Sequence, residues 1–152
     1  VGQGLIDSIG EGPVALDSSV LIYLIELHPR YAPILWPLFE KIQAGELLAV
    51  TSALTLLETL VVPYRQDDLT LADRYEAILT AGEGLTLVPI DLQLLRSAAK
   101  IRAATSVRTA DALHLATAIV TRCTAFLTND GRLPSFPGLA VLQLDDFTSV
   151  SA

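Results

Sequence analysis

Five short apolar runs separated by helix-patterned segments limit what this chain can fold into more than any other feature. The runs are Val14 to Leu16, Leu47 to Thr51, Leu85 to Val88, Ala125 to Leu127 and Leu139 to Leu144. Between them, apolar residues recur at helical spacing. Val20, Leu21, Tyr23, Leu24 and Leu27 follow the first run, and Tyr31 to Ala44 forms a further such segment, in which Pro37 calls for a kink or break. Ser52 offers a cap for a helix over Ala53 to Val62, with Pro63 at its end or bend, and Asp67 and Asp68 open another that runs to about Ala81. Asp91 caps a helix through Ala104, and Thr109 caps one over Ala110 to Thr121. Strands alternating with helices predict an α/β fold, a three-layer α/β/α sandwich around a mainly parallel sheet. In such sheets, sites form at the carboxyl ends of the strands.

With 152 residues the chain makes one domain, and 51% apolar against 18% charged residues supply a packed core rather than a disordered chain. The domain is expected over 14–147, after a glycine-bearing, flexible arm over 1–13 and before a short tail over 148–152. The longest stretch without a charge, Leu133 to Leu144, has 12 residues and two prolines, short of the roughly 18 that a membrane span needs. No membrane role is expected. Asp7 and Glu11, without any Lys or Arg, make the first dozen residues unlike a secretory signal. Cys123 stands alone and allows no internal disulfide, so a cytoplasmic setting is the expectation.

A net charge of -7 is the wrong sign for holding nucleic acid by bulk electrostatics. Positive charge is concentrated instead: Arg96, Lys100, Arg102 and Arg108 fall within 13 residues that contain no acid. Arg96 and Lys100 share a helix face, and such a strip suits contacts to an RNA backbone. Arg108 is the foremost of the four, because it precedes Asp111 by three residues.

Four acids interrupt otherwise apolar segments: Asp17 in VALDSSVLIY, Glu58 in LTLLETLVV, Asp111 in TADALHLATAIV and Asp130 in AFLTNDGRL. Asp17 and Asp130 each follow a strand and belong at the carboxyl edge of the sheet. Glu58 lies in the first two turns after the second strand, and Asp111 stands at a helix start, where the dipole favours an anion. Singly, each has an ordinary use as a cap, a turn residue or a half-exposed acid. Together they are better explained by a shared cation, because crowded carboxylates repel unless protonated or bridged. Hard oxygen donors without Cys select Mg²⁺ or Mn²⁺ over Zn²⁺. Such an ion suits hydrolysis of a phosphodiester by a metal-activated water.

The stretches VALDSSVLIYLIE, TSALTLLETL, RTADALHLATAI and FLTNDGRL, with 41, 53 and 19 residues between successive acids, resemble the PIN-domain family. The likeness is strongest to its VapC-like branch, the toxin ribonucleases of toxin-antitoxin pairs, and runs from about Val14 to Phe147. It implies that Asp17, Glu58, Asp111 and Asp130 are the catalytic and metal-binding quartet of a divalent-metal-dependent endoribonuclease. It further implies that Ser19 and Thr128 support the metal site, although the family frequently has Asn where this chain has Ser19. An RNA substrate, a cognate antitoxin and a homodimer are implied as partners. A free-standing RNA-processing PIN nuclease and a non-catalytic binding module are the alternatives.

Other folds that end their first strand in Asp fit less well. A receiver or haloacid-dehalogenase-like enzyme needs a second Asp two residues on, where this chain has Ser19, and a ribonuclease-H-like nuclease begins with antiparallel strands, where this chain turns into a helix. His114, three residues after Asp111, is expected to pack, His28 to have no function, and Cys123 to be a buried, inert thiol. Tyr31 and Trp36 are expected in the core or a subunit contact. The helices around Tyr31 to Phe39 and Leu54 to Tyr64 carry more apolar side chains than one core face absorbs, which predicts a covering chain.

Overall fold

A computed structural model describes residues 3–148 of the chain. Its elements run α1 (Gln3–Ile9), β1 (Val14–Leu16), α2 (Ser18–Ile25), α3 (Ala32–Gln43), β2 (Ala49–Ser52), α4 (Leu54–Arg65), α5 (Leu69–Ala81), β3 (Leu85–Val88), α6 (Leu92–Ala104), α7 (Thr109–Val120), β4 (Ala125–Thr128) and β5 (Ala140–Gln143). The strands form one sheet in the order β3-β2-β1-β4-β5, and every pair is parallel. The three-layer α/β sandwich expected from the sequence is present.

Side chains of period two divide the strands between the layers. Val14, Leu16, Ala125 and Leu127 face the layer that holds α1 to α3, while Ala15, Val50 and Phe126 face α6 and α7. On that second face Leu94, Ala98 and Ile101 of α6 meet Ala112, Leu115 and Ala116 of α7. Leu60 of α4 packs with Ala72 and Tyr75 of α5 and Ile25 of α2 in a third cluster.

The strand order places the topological switch beside β1. From β1 the chain builds outward through β2 and β3, then returns to add β4 on the other side. The crevice between the carboxyl ends of β1 and β4 is where such sheets bind ligands.

Several local expectations differ from the fold. The expected flexible arm is a packed helix over its described part: α1 buries Leu5 and Ile9 in the same core cluster as α3, because an apolar pair four residues apart makes a helix face. Pro37 and Pro63 lie inside α3 and α4, which run on through them. Each proline removes one helical hydrogen bond, and the buried faces of the two helices outweigh that loss. Thr109 is the first residue of α7 rather than its cap, and Arg108 caps without a side-chain bond. Leu27 falls beyond α2 with φ +56° and is exposed. Val1, Gly2 and residues 149–152, the ends of the expected arm and tail, lie outside the described residues.

Candidate metal centre

Asp17 is the first residue after β1 and also the N-cap of α2. Its Oδ1 accepts the Ser18 amide at 2.8 Å, while its Oδ2 accepts the Thr128 hydroxyl at 2.7 Å from the end of β4. The Asp17 amide donates to the Leu127 carbonyl at 3.0 Å. From the other side, the buried Thr51 hydroxyl of β2 donates to the Leu16 carbonyl at 2.9 Å. The strand tip that carries Asp17 is therefore tied to both neighbours.

Thr128 serves two acids, since its hydroxyl oxygen also accepts the Asp130 amide at 3.1 Å. Asp130 is in turn held by Arg132, whose Nε and guanidinium NH2 donate to its two oxygens at 2.9 and 2.8 Å and whose amide donates at 3.0 Å. That guanidinium holds the Asp130 carboxyl below its ordinary value, against the opposing effect of burial.

Glu58 projects from α4 to the buried His114 of α7, with Oε1 2.6 Å from Nε2. Burial pushes the Glu58 carboxyl up, but the His114 imidazole and the Ser18 hydroxyl outweigh it and hold the group below its ordinary value. Burial alone would pull the His114 imidazole down. Its bond to Glu58 and the charges of Asp17, Glu58 and Asp111 reverse that, and the imidazole is raised. Asp17 Oδ1 lies 3.7 Å from the same Nε2.

Asp111, in the first turn of α7, makes no hydrogen bond or ion pair among the described residues. Burial and the charges of Asp130 and Asp17 raise its carboxyl. The four acids thus meet in one cleft of about 390 Å³, lined also by Ser18, Ser19, Tyr23, Asn129 and Gly131. Ser19 Oγ is buried there without a hydrogen-bond partner.

The donor set fits a hard divalent cation, with four carboxylates and an unsatisfied hydroxyl in one polar cleft. Among the described residues no group of three or more His, Cys, Asp and Glu side chains is arranged to hold a metal ion. Glu58 is paired with the His114 imidazole and Asp130 with the Arg132 guanidinium, which leaves Asp111 as the carboxylate without a side-chain partner among the described residues.

The four basic residues of the expected RNA strip do not stay together. Arg108 reaches the site, lining a recess of about 300 Å³ with Asp111 and Arg132. Arg102 donates to the Val107 carbonyl at 3.2 Å and to Thr109 Oγ1 at 3.0 Å, tying α6 to α7. Arg96 and Lys100 line a separate recess with Ile119 and Arg122 beside the last turn of α7, about 12 Å along that helix from Asp111 at ~1.5 Å per residue.

Sequence reasoning did not single out Arg132, and it expected His114 only to pack, whereas the buried imidazole also bonds Glu58. Arg132 stands two positions after Asp130 in TNDGRL, and His114 stands one helical turn after Asp111 in DALHLA. The spacing to the neighbouring acid was the available signal in both cases. Cys123 is buried with its thiol pushed up by burial, as an inert thiol should be.

A parallel α/β sheet with acids converging at its switch point defines a class of fold, and comparison narrows that class. The PIN domain model matches residues 14–139, and the chain belongs to that family. Among solved structures it is similar to a toxin-antitoxin complex from Klebsiella pneumoniae, with 20% identity, a TM-score of 0.63, and coverage of 84% of this chain and 95% of that one. It is similar to VapBC2 from Rickettsia felis bound to a promoter DNA fragment, at 15% identity, a TM-score of 0.63 and coverage of 86% and 97%. DNA-bound VapBC from Salmonella typhimurium gives 18% identity, a TM-score of 0.64 and the same two coverages, 86% and 97%. No curated protein matches the chain.

Proposed function

We propose that the chain is a divalent-metal-dependent endoribonuclease of the VapC type, the toxin of a toxin-antitoxin pair. The observation that carries this reading is the convergence of Asp17, Glu58, Asp111 and Asp130, from four separate elements, on one cleft at the switch point. PIN domains are generally nucleases that use divalent metals, and the similar structures named above are toxin-antitoxin assemblies.

In this reading Asp17 and Asp111 hold the cation, Mg²⁺ or Mn²⁺, with Asp130 and Glu58 completing the set. When bound, that ion supplies a nucleophilic water and offsets charge on the phosphoryl oxygens. Thr128 fixes the orientation of Asp17 and the backbone of Asp130, and Ser19 offers its unpartnered hydroxyl to the same cleft. Arg108 holds an RNA phosphate at the mouth of the cleft, with Arg96, Lys100 and Arg102 contributing further along the backbone.

The partner reading draws on the exposed apolar side chains of α4 and the start of α5, Leu57, Val62, Tyr64 and Leu69. They suit an antitoxin or a second copy of the chain. The covering surface expected near Tyr31 to Phe39 is smaller, since the core absorbs all of its large apolar residues except Trp36. No helix among the described residues is long and apolar enough to cross a membrane.

The test is incubation of the purified chain with single-stranded RNA, with and without Mg²⁺ or Mn²⁺, beside Asp17→Asn. Cleavage that needs the metal and is lost in the variant supports the reading, and cleavage at an equal rate in the variant overturns it. Co-expression with the product of an adjacent small gene tests the partner. A monomer that captures no such product and still cleaves RNA would make a free-standing RNA-processing nuclease the better description.

A further inference from the structure

We infer that Arg132 is the cation Asp130 exchanges for a divalent metal, and that the guanidinium so released joins Arg108 at the mouth of the cleft to take a backbone phosphate of the substrate. This rests on the metal-dependent reading above and adds a role for a residue outside the acidic quartet.

Three donors of one residue converge on the Asp130 carboxylate, two nitrogens of the Arg132 guanidinium at 2.9 and 2.8 Å and the Arg132 amide at 3.0 Å. A bidentate pair of this kind engages both oxygens. With both oxygens engaged, Asp130 reaches a cation only by parting from Arg132. Asp17 differs, because its hydrogen-bond partners are an amide and a hydroxyl that orient the carboxylate, and the His114 Nε2 stands farther off at 3.7 Å.

The clamp is also free to open. The Arg132 side chain is 67% exposed, while Asp130 is 23% exposed. Its side chain has no other acidic partner among the described residues, and it already lines the recess that Arg108 and Asp111 share. When Asp130 turns to the cation, Arg132 loses its partner and two guanidinium groups face the same recess. Planar guanidinium groups suit phosphate oxygens. Asp130 would thus couple metal entry to the exposure of a phosphate-binding pair.

The test measures Mn²⁺ affinity by titration calorimetry, and by paramagnetic resonance of the free ion, in the full chain and in Arg132→Gln. Thermal melting checks that each variant folds. Loss of the competitor should tighten Mn²⁺ binding by about two- to fivefold, the range a partly exposed ion pair supports. The gain should vanish when Arg132→Gln is made in an Asp130→Asn background. At saturating Mn²⁺ the apparent KM for RNA should rise in Arg132→Gln with kcat little changed.

Unchanged or weaker Mn²⁺ binding in Arg132→Gln overturns the exchange. A gain that persists in the Asp130→Asn background also overturns it, since only the general field of a positive charge would then be acting. An unchanged KM overturns the phosphate role alone. Failure of every form to bind Mn²⁺ would overturn the metal reading, and the exchange with it.

Discussion

Asp111 carries the unbalanced charge of the site. Its neighbours Asp17 and Asp130 raise its carboxyl on top of burial, so the ionised form costs the metal-free fold stability that a bound cation would restore. Asp111→Asn should therefore melt at a higher temperature than the parent chain without metal. In the same variant metal-dependent RNA cleavage should fall by at least about a hundredfold, since a change in groups that merely support a ligand costs about ten- to a hundredfold. A lower metal-free melting temperature would mean that the carboxylate is structural. The Glu58–His114 pair gives a pH signature with definite sign. The His114 imidazole is raised above its ordinary value of 6.5, so its contribution is complete below about that pH and is lost as pH rises through the higher folded value. Glu58 is lowered from its ordinary value of 4.5, so its share is present above that pH and is lost as pH falls through the lowered value. The stability difference between the parent chain and His114→Gln should be largest between about pH 4.5 and 6.5 and should shrink above that window. Thermal melting across pH reads this directly, and a difference that is flat with pH would assign the loss to packing alone.

At the scale of elements, the closest backbone approach lies at Gly84, just before β3. Its φ is +79°, and a Cβ built there would stand 1.9 Å from the Ile42 carbonyl oxygen at the end of α3. Gly84→Ala should cost more than about 1 kcal/mol in chemical denaturation, because both the backbone and the contact forbid the methyl. A stability change near zero would show that α3 and β3 can part without loss. The alternation of strand and helix was legible in the sequence because β1, β2 and β4 are buried along their whole length and all five strands read as largely apolar runs. The four acids were legible for the complementary reason, that they stand where an apolar segment should not hold a charge. The arm was misread because Leu5 and Ile9 form too short a periodic pattern to outweigh the glycines around them. Pro37 does not break α3 and Pro63 does not end α4, because a local rule about proline says nothing of the core that holds those helices in place. Arg132 escaped notice, and His114 was expected only to pack, because the importance of each lies in which carboxylate it meets. Glu58 and His114 are 56 residues apart, and no pattern local to either predicts that meeting.

For the whole molecule, four of the ten exposed large apolar side chains among the described residues, Leu57, Val62, Tyr64 and Leu69, lie on α4 and the start of α5. Leu57 is 61% exposed and Tyr64 54%, both on α4, the helix that also supplies Glu58. Leu57→Asp with Tyr64→Asp should leave the melting temperature of the isolated chain nearly unchanged, within the ±0.5 kcal/mol usual for surface changes. The pair should abolish self-association in sedimentation, or copurification with a partner, if this flank is covered in the assembly. Full retention of both would move the interface elsewhere. The way β1 is tied has a different consequence. Its amides and that of Asp17 are bonded to strands or strand ends on both sides, and its three side chains are buried. Asp130 hangs instead on an exposed turn after β4, clasped by Arg132. Amide hydrogens from Val14 to Asp17 should therefore exchange with deuterium only when the entire domain unfolds, whereas those from Gly131 to Leu133 should exchange through local opening, many times faster. Two acids that share a cleft thus keep different clocks: one is immobile for as long as the protein is folded, and the other can change partners without the sheet registering it.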